Sequence, residues 1–214
     1  MAGELILNEV ATPPTPAATK DSIYMANVTL PRLQRVDSAG TIWPVADILV
    51  QSLASNFTMS NVATAQAAFN GTTNGAVTLP ASSGYLIEGN YTITSTGTTS
   101  HTWAILFGGT ATLTSGRITA IVTNAGTSSG LFAAQIAHTT TLGTAFVLTA
   151  SSTSATENVN IMFYGTVRIN AAGTLIPQVQ ASSAPGVAPT MLANSYIKLT
   201  PIGTSSAVSL GNWS

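Results

Sequence analysis

Apolar and polar residues alternate with a period of two over long stretches of this chain. Tyr85, Ile87, Gly89, Tyr91 and Ile93 share one face, while Leu86, Glu88, Asn90, Thr92 and Thr94 share the other. Further along, Val159, Ile161, Phe163, Gly165, Val167 and Ile169 oppose Asn158, Asn160, Met162, Tyr164, Thr166 and Arg168. Alternation sustained over about a dozen residues predicts long antiparallel strands with one buried face. In the second strand, Gly165 is expected to admit a close approach from an opposing sheet. Shorter strands are predicted at 57–59, 77–79, 102–107, 117–123, 131–137, 145–149, 175–180, 195–200 and 207–210. Between them stand turn residues: Asn70-Gly71, Asn74-Gly75, Gly108-Gly109, Asn124-Ala125-Gly126, Ala171-Ala172-Gly173 and Pro185-Gly186. Helical spacing is weak throughout, and 45–53 comes nearest to it with a turn or two. This many short strands predicts an all-β fold, an antiparallel β-sandwich, and a jelly roll is the commonest closure for such a set.

Charge divides the chain in two. Glu4, Glu9, Lys20, Asp21, Arg32, Arg35, Asp37 and Asp47 lie in the first 47 residues, and only Glu88, Arg117, Glu157, Arg168 and Lys198 follow. The early segment carries Thr12-Pro13-Pro14-Thr15-Pro16, which favours extended or polyproline backbone. Two short alternating pieces come next, at 23–28 and 33–36. Asp37-Ser38-Ala39-Gly40 then leads into Thr41-Ile42-Trp43-Pro44-Val45, turn chemistry that predicts a hairpin. These features define an extended N-terminal arm, residues 1–50, ahead of a head domain, residues 51–214. An arm this poor in apolar residues is expected to need a partner surface.

Composition narrows the function. Hydrophobic residues make up 45% of the chain and charged residues only 6%, against about 25% charged in ordinary soluble domains. With 34 Thr and 22 Ser among 214 residues, the surface is solvated through hydroxyls. A net charge of −1 without a basic block excludes nucleic-acid binding by phosphate attraction. The absence of cysteine excludes a disulfide framework and thiolate metal sites. No secretion signal or membrane span is expected, since Leu5-Ile6-Leu7 sits between Glu4 and Glu9 and no apolar run approaches spanning length.

Candidate chemistry is sparse. Past Asp47 there is no Asp, so the head lacks its own Ser-His-Asp triad. A two-carboxylate glycosidase would need Glu88 and Glu157, the head's only acids. Glu88 falls on the polar strand face, where an exposed charge or a cross-strand partner for Arg168 is the expected role. His101 and His138 stand alone beside Thr residues, without metal-ligand spacing. The expectation is no enzyme, with no catalytic, cofactor or metal residues. The sequons at Asn27, Asn56, Asn70, Asn90 and Asn212 are close to the number that thirteen Asn in a Ser/Thr-rich chain supply by chance. Core packing is expected for Trp103, and docking on a sheet or a neighbouring subunit for Trp213. Tyr164 shares a face with Met162 and Arg168, a mixed surface of the kind subunit contacts use.

The run Pro13-Pro14-Thr15-Pro16-Ala17-Ala18-Thr19-Lys20, the strand at 22–25 and the hairpin over 37–41 resemble the N-terminal module of phage tail-fibre and virion-associated proteins. The head resembles the trimeric jelly-roll domain of the same proteins. It does so through Phe57-Thr58, Ala65-Gln66-Ala67-Ala68-Phe69, Tyr85-Leu86-Ile87-Glu88-Gly89, Ser100-His101-Thr102, Phe107-Gly108-Gly109-Thr110-Ala111-Thr112, Leu199-Thr200-Pro201-Ile202-Gly203 and Gly211-Asn212-Trp213. The resemblance implies a bacteriophage virion structural protein, a homotrimer attached through its arm to baseplate, tail or capsid proteins. Capsid decoration, as cement or head fibre, and recognition of a host surface glycan are the alternatives. No shaft separates arm from head, which keeps decoration open.

Overall fold

A computed structural model describes residues 48–69, 75–125, 133–139 and 141–204, together with strand segments 9–10, 22–26, 32–36 and 42–44. The chain divides into two units, Met1–Asp47 and Ile48–Ser214. The division falls three residues before the expected boundary, because the strand that begins at Leu49 pairs within the second unit.

Strands β1 (Glu9–Val10), β2 (Ser22–Ala26), β3 (Arg32–Val36) and β4 (Ile42–Pro44) form a four-stranded sheet in the first unit, in chain order. β1 runs parallel to β2, and the other pairs are antiparallel. The expected hairpin joins β3 to β4 with Val36 opposite Ile42; its turn, 37–41, lies outside the described residues, as does the Pro-rich run 12–16. Pro44 sits on an edge strand, the position in a sheet to which proline is usually confined.

The second unit is a two-sheet antiparallel β-sandwich, as the alternation predicts. Its strands are β5 (Leu49–Ser52), β6 (Phe57–Thr58), β7 (Gln66–Ala67), β8 (Val77–Leu79), β9 (Ser83–Ser95), β10 (Trp103–Gly109), β11 (Thr112–Ala125), β12 (Ala133–Thr139), β13 (Phe146–Val147), β14 (Glu157–Ala171), β15 (Gly173–Ala181), β16 (Thr190–Met191) and β17 (Tyr196–Thr204). One sheet runs β12-β11-β14-β9, then continues along β9 as β17-β5 at one end and β16-β6 at the other. The second sheet runs β13-β10-β15, with β8 and β7 one after the other along the far edge of β15. No helix occurs among the described residues; of the near-helical stretch 45–53, Leu49–Ser52 form β5 and 45–47 lie outside the described residues. The strand predicted at 207–210 and the terminal Trp213 lie outside the described residues.

The core fills the space between the sheets. Tyr85, Ile87, Tyr91 and Ile93 from β9, and Val159, Ile161, Phe163, Val167 and Ile169 from β14, are all buried. Trp103, Ile105 and Phe107 of β10 and Leu175 and Val179 of β15 meet them from the other sheet. An aromatic file runs through the middle: Tyr91 makes edge-on contacts with Phe69 at 5.6 Å and Phe163 at 5.0 Å between ring centres. Phe163 lies in register with Gly89, whose missing side chain leaves room for the ring. Gly165 does not meet the opposite sheet, contrary to expectation. A side chain there would strike the Arg117 carbonyl group, its oxygen first, and Ile118 Cα of the adjoining strand β11. The close approach is therefore within one sheet, between hydrogen-bonded neighbours.

Candidate functional site

The outer face of the larger sheet is the most unusual surface of the second unit. Strand register places Thr119, Tyr164, Glu88, Lys198 and Val50 in one row across β11, β14, β9, β17 and β5. The next row holds Ile121, Met162, Asn90 and Tyr196, and the row on the other side holds Leu86 beside Thr166. Val50, Leu86, Met162 and Tyr164 are respectively 58%, 49%, 44% and 57% exposed. They face water because every second residue of a strand turns away from the core. Solubility alone selects polar residues there; this sheet presents a cluster of apolar ones instead.

Polar groups within that cluster already have partners. Lys198 Nζ donates to Glu88 Oε1 at 2.7 Å across the β9–β17 ladder. This corrects the expected pairing of Glu88 with Arg168: register sets Arg168 beside Gly84, four residues from Glu88 along β9, and its Nη1 reaches the Thr204 carbonyl at 3.5 Å. Asn160 Nδ2 donates to Asn90 Oδ1 at 2.6 Å and to Thr92 Oγ1 at 3.0 Å. The Asn90 sequon is thereby taken up in a cross-strand bond, and Asn56 Oδ1 accepts from the Ala193 amide at 2.9 Å.

Inside the sandwich lies a polar cluster. Glu157 Oε2 accepts the Trp103 indole N–H at 3.0 Å and stands 2.8 Å from His101 Nε2. The imidazole is held edge-on to the Trp103 ring, with centres 5.2 Å apart. His101 Nδ1 lies 2.7 Å from the Thr99 carbonyl, which can only accept, so Nδ1 carries its hydrogen. The Nε2···Oε2 contact then requires one further proton between the two groups. Both side chains are closed off from water, at 0% and 1% exposure. The cluster ties the start of β10 to the start of β14, and the His101–Ser152 bridge adds the segment before β14.

Glu88 and Glu157, the pair a glycosidase would need, point to opposite sides of the sheet. Glu157 faces the core and Glu88 the outer surface. Among the described residues no group of three or more His, Cys, Asp or Glu could hold a metal. His138 lies in β12 opposite Arg117 in register. Sequence reasoning placed Tyr164 and Met162 on a shared open face but missed Glu157 as a buried anchor. The signal was present: Glu157 is in phase with Val159, Ile161 and Phe163, so the alternation itself assigns it to the core. Comparison with protein-family models, curated proteins and solved structures found no match.

Proposed function

We propose that this chain is a structural protein of a bacteriophage particle, a homotrimer whose head is a jelly roll and whose N-terminal unit attaches it to other virion proteins. The observation that carries the reading is the coincidence of two divisions. Eight of the thirteen charges fall in residues 1–47, which also form a separate compact unit. The remaining head is nearly uncharged and leaves an apolar sheet face in water. A charged attachment module joined to a head that assembles with itself accounts for both.

Strand order supports the jelly-roll part. Taken in chain order, β5, β8, β9, β10, β13, β14, β15 and β17 can be counted first to eighth. One sheet then reads first, eighth, third, sixth, and the other reads second, seventh, fourth, fifth. Two interlocked Greek keys have this order. On this reading β11 and β12 are an inserted antiparallel pair that widens the larger sheet beyond β14.

Deletion of residues 1–47 tests the proposal. The cut leaves β5 in place to pair with β17. The truncated chain is expected to stay a folded trimer and to disappear from purified particles. Normal incorporation of the truncated chain would place the docking site in the head and overturn the attachment role. Localisation on the particle by cryo-EM separates capsid decoration from a tail position.

A further inference from the structure

We infer that the outer face of the larger sheet, centred on Tyr164, is the surface through which copies of this chain pack against one another. The inference deepens the homotrimer reading and rests on it.

The face has the anatomy of an interface. Its middle sets exposed Tyr164, Met162, Leu86 and Val50 and half-buried Tyr196 around the paired Glu88 and Lys198. At one end Arg117 is exposed and Arg168 half-buried, and at the other stands the Asn160–Asn90–Thr92 group. Five strands spaced about 4.8 Å apart, over eight residues of β14 at about 3.4 Å each, span roughly 600 Å². That approaches the ~800 Å² per partner of a specific, stable protein interface.

The occupant is a second copy rather than a partner of opposite charge. At the centre Glu88 and Lys198 neutralise each other within the chain, and toward one end Asn160 donates to Asn90. Such a face offers a charged partner nothing to neutralise. Turned toward neighbouring copies about a threefold axis, it buries no unpaired charge at its middle. The two arginines stay at the rim, where water screens them.

Three full-length proteins test the inference: wild type, Tyr164→Glu, and Val147→Glu as an exposed control on β13 of the other sheet. Mass photometry at micromolar concentration is expected to show wild type and Val147→Glu as trimers and Tyr164→Glu as a monomer with unchanged strand content by circular dichroism. A trimeric wild type with an equally trimeric Tyr164→Glu overturns the surface and leaves the trimer standing. A monomeric wild type overturns both. The chain has no cysteine, so Tyr164→Cys and Val147→Cys each introduce a single thiol, which covers the case in which Tyr164→Glu fails to fold. In the trimer, maleimide should label position 164 at least tenfold more slowly than position 147. Equal rates contradict the inference and show a face left open to an outside ligand such as glycan.

Discussion

The two faces of β14 are made by the same alternation and meet different surroundings. Toward the core, Val159, Ile161, Phe163, Val167 and Ile169 are almost wholly buried, and Glu157 shares that face with both of its named partners enclosed. Toward the outside, Met162 and Tyr164 stand in water beside Glu88 and Asn90. The inner face is explained by the chain alone: its apolar side chains belong to the core between the two sheets. The outer face is not, because Met162 and Tyr164 leave apolar surface in water there. What differs is where the packing partner resides: within the chain for the inner face and, on the inference above, in another copy for the outer one.

Substitutions on the two faces sharpen this contrast. The largest effect is expected at Phe163, where replacement by Ala removes the ring between Gly89 and Tyr91 and leaves a cavity. Chemical denaturation should show a loss of about 3–5 kcal/mol. At Glu157, replacement by Ala strips the acceptor from the buried Trp103 N–H and leaves His101 Nε2 without its partner. Roughly 2–4 kcal/mol should be lost, since two buried polar groups go unsatisfied. A change in Trp fluorescence should accompany it.

Tyr91 gives a smaller effect of opposite sign. Its hydroxyl is buried with no hydrogen-bond partner among the described residues, and burial pushes the phenol far above its ordinary value. Tyr91→Phe should therefore stabilise the head by about 1 kcal/mol in denaturation at neutral pH. The same group sets an alkaline limit. Above the ordinary phenol value of 10.0 the unfolded chain loses this proton while the folded head keeps it. Stability should then fall as pH rises past that value, by about 1.4 kcal/mol per pH unit for this group. Tyr91→Phe should flatten that slope. The smallest effect on the fold is expected at Tyr164, where Ala should change subunit stability by less than about 0.5 kcal/mol, its cost appearing in assembly instead.

Much of this was legible in the chain. Both long strands and the face each buries follow from the spacing of Ile, Val, Tyr and Phe, because a period of two has only two phases. The split between a charged first segment and a nearly uncharged remainder is visible in the positions of thirteen residues. Lateral neighbours were harder to read. Glu88 pairs with Lys198, 110 residues away, and Gly165 abuts β11 rather than the opposite sheet. Alternation within a strand carries no information about which strand lies beside it, so register across a sheet assembled from distant segments is decided by packing. The same limit hid the link between His101, Trp103 and Glu157, although the phase of each was readable.

The mass of the full-length protein in solution bears most directly on the central claim that the outer face is covered by other copies of the chain. Sedimentation equilibrium at micromolar concentration should give three times the 21.8 kDa of one chain. A stable species of 21.8 kDa, folded and soluble with Tyr164 in water, would contradict it.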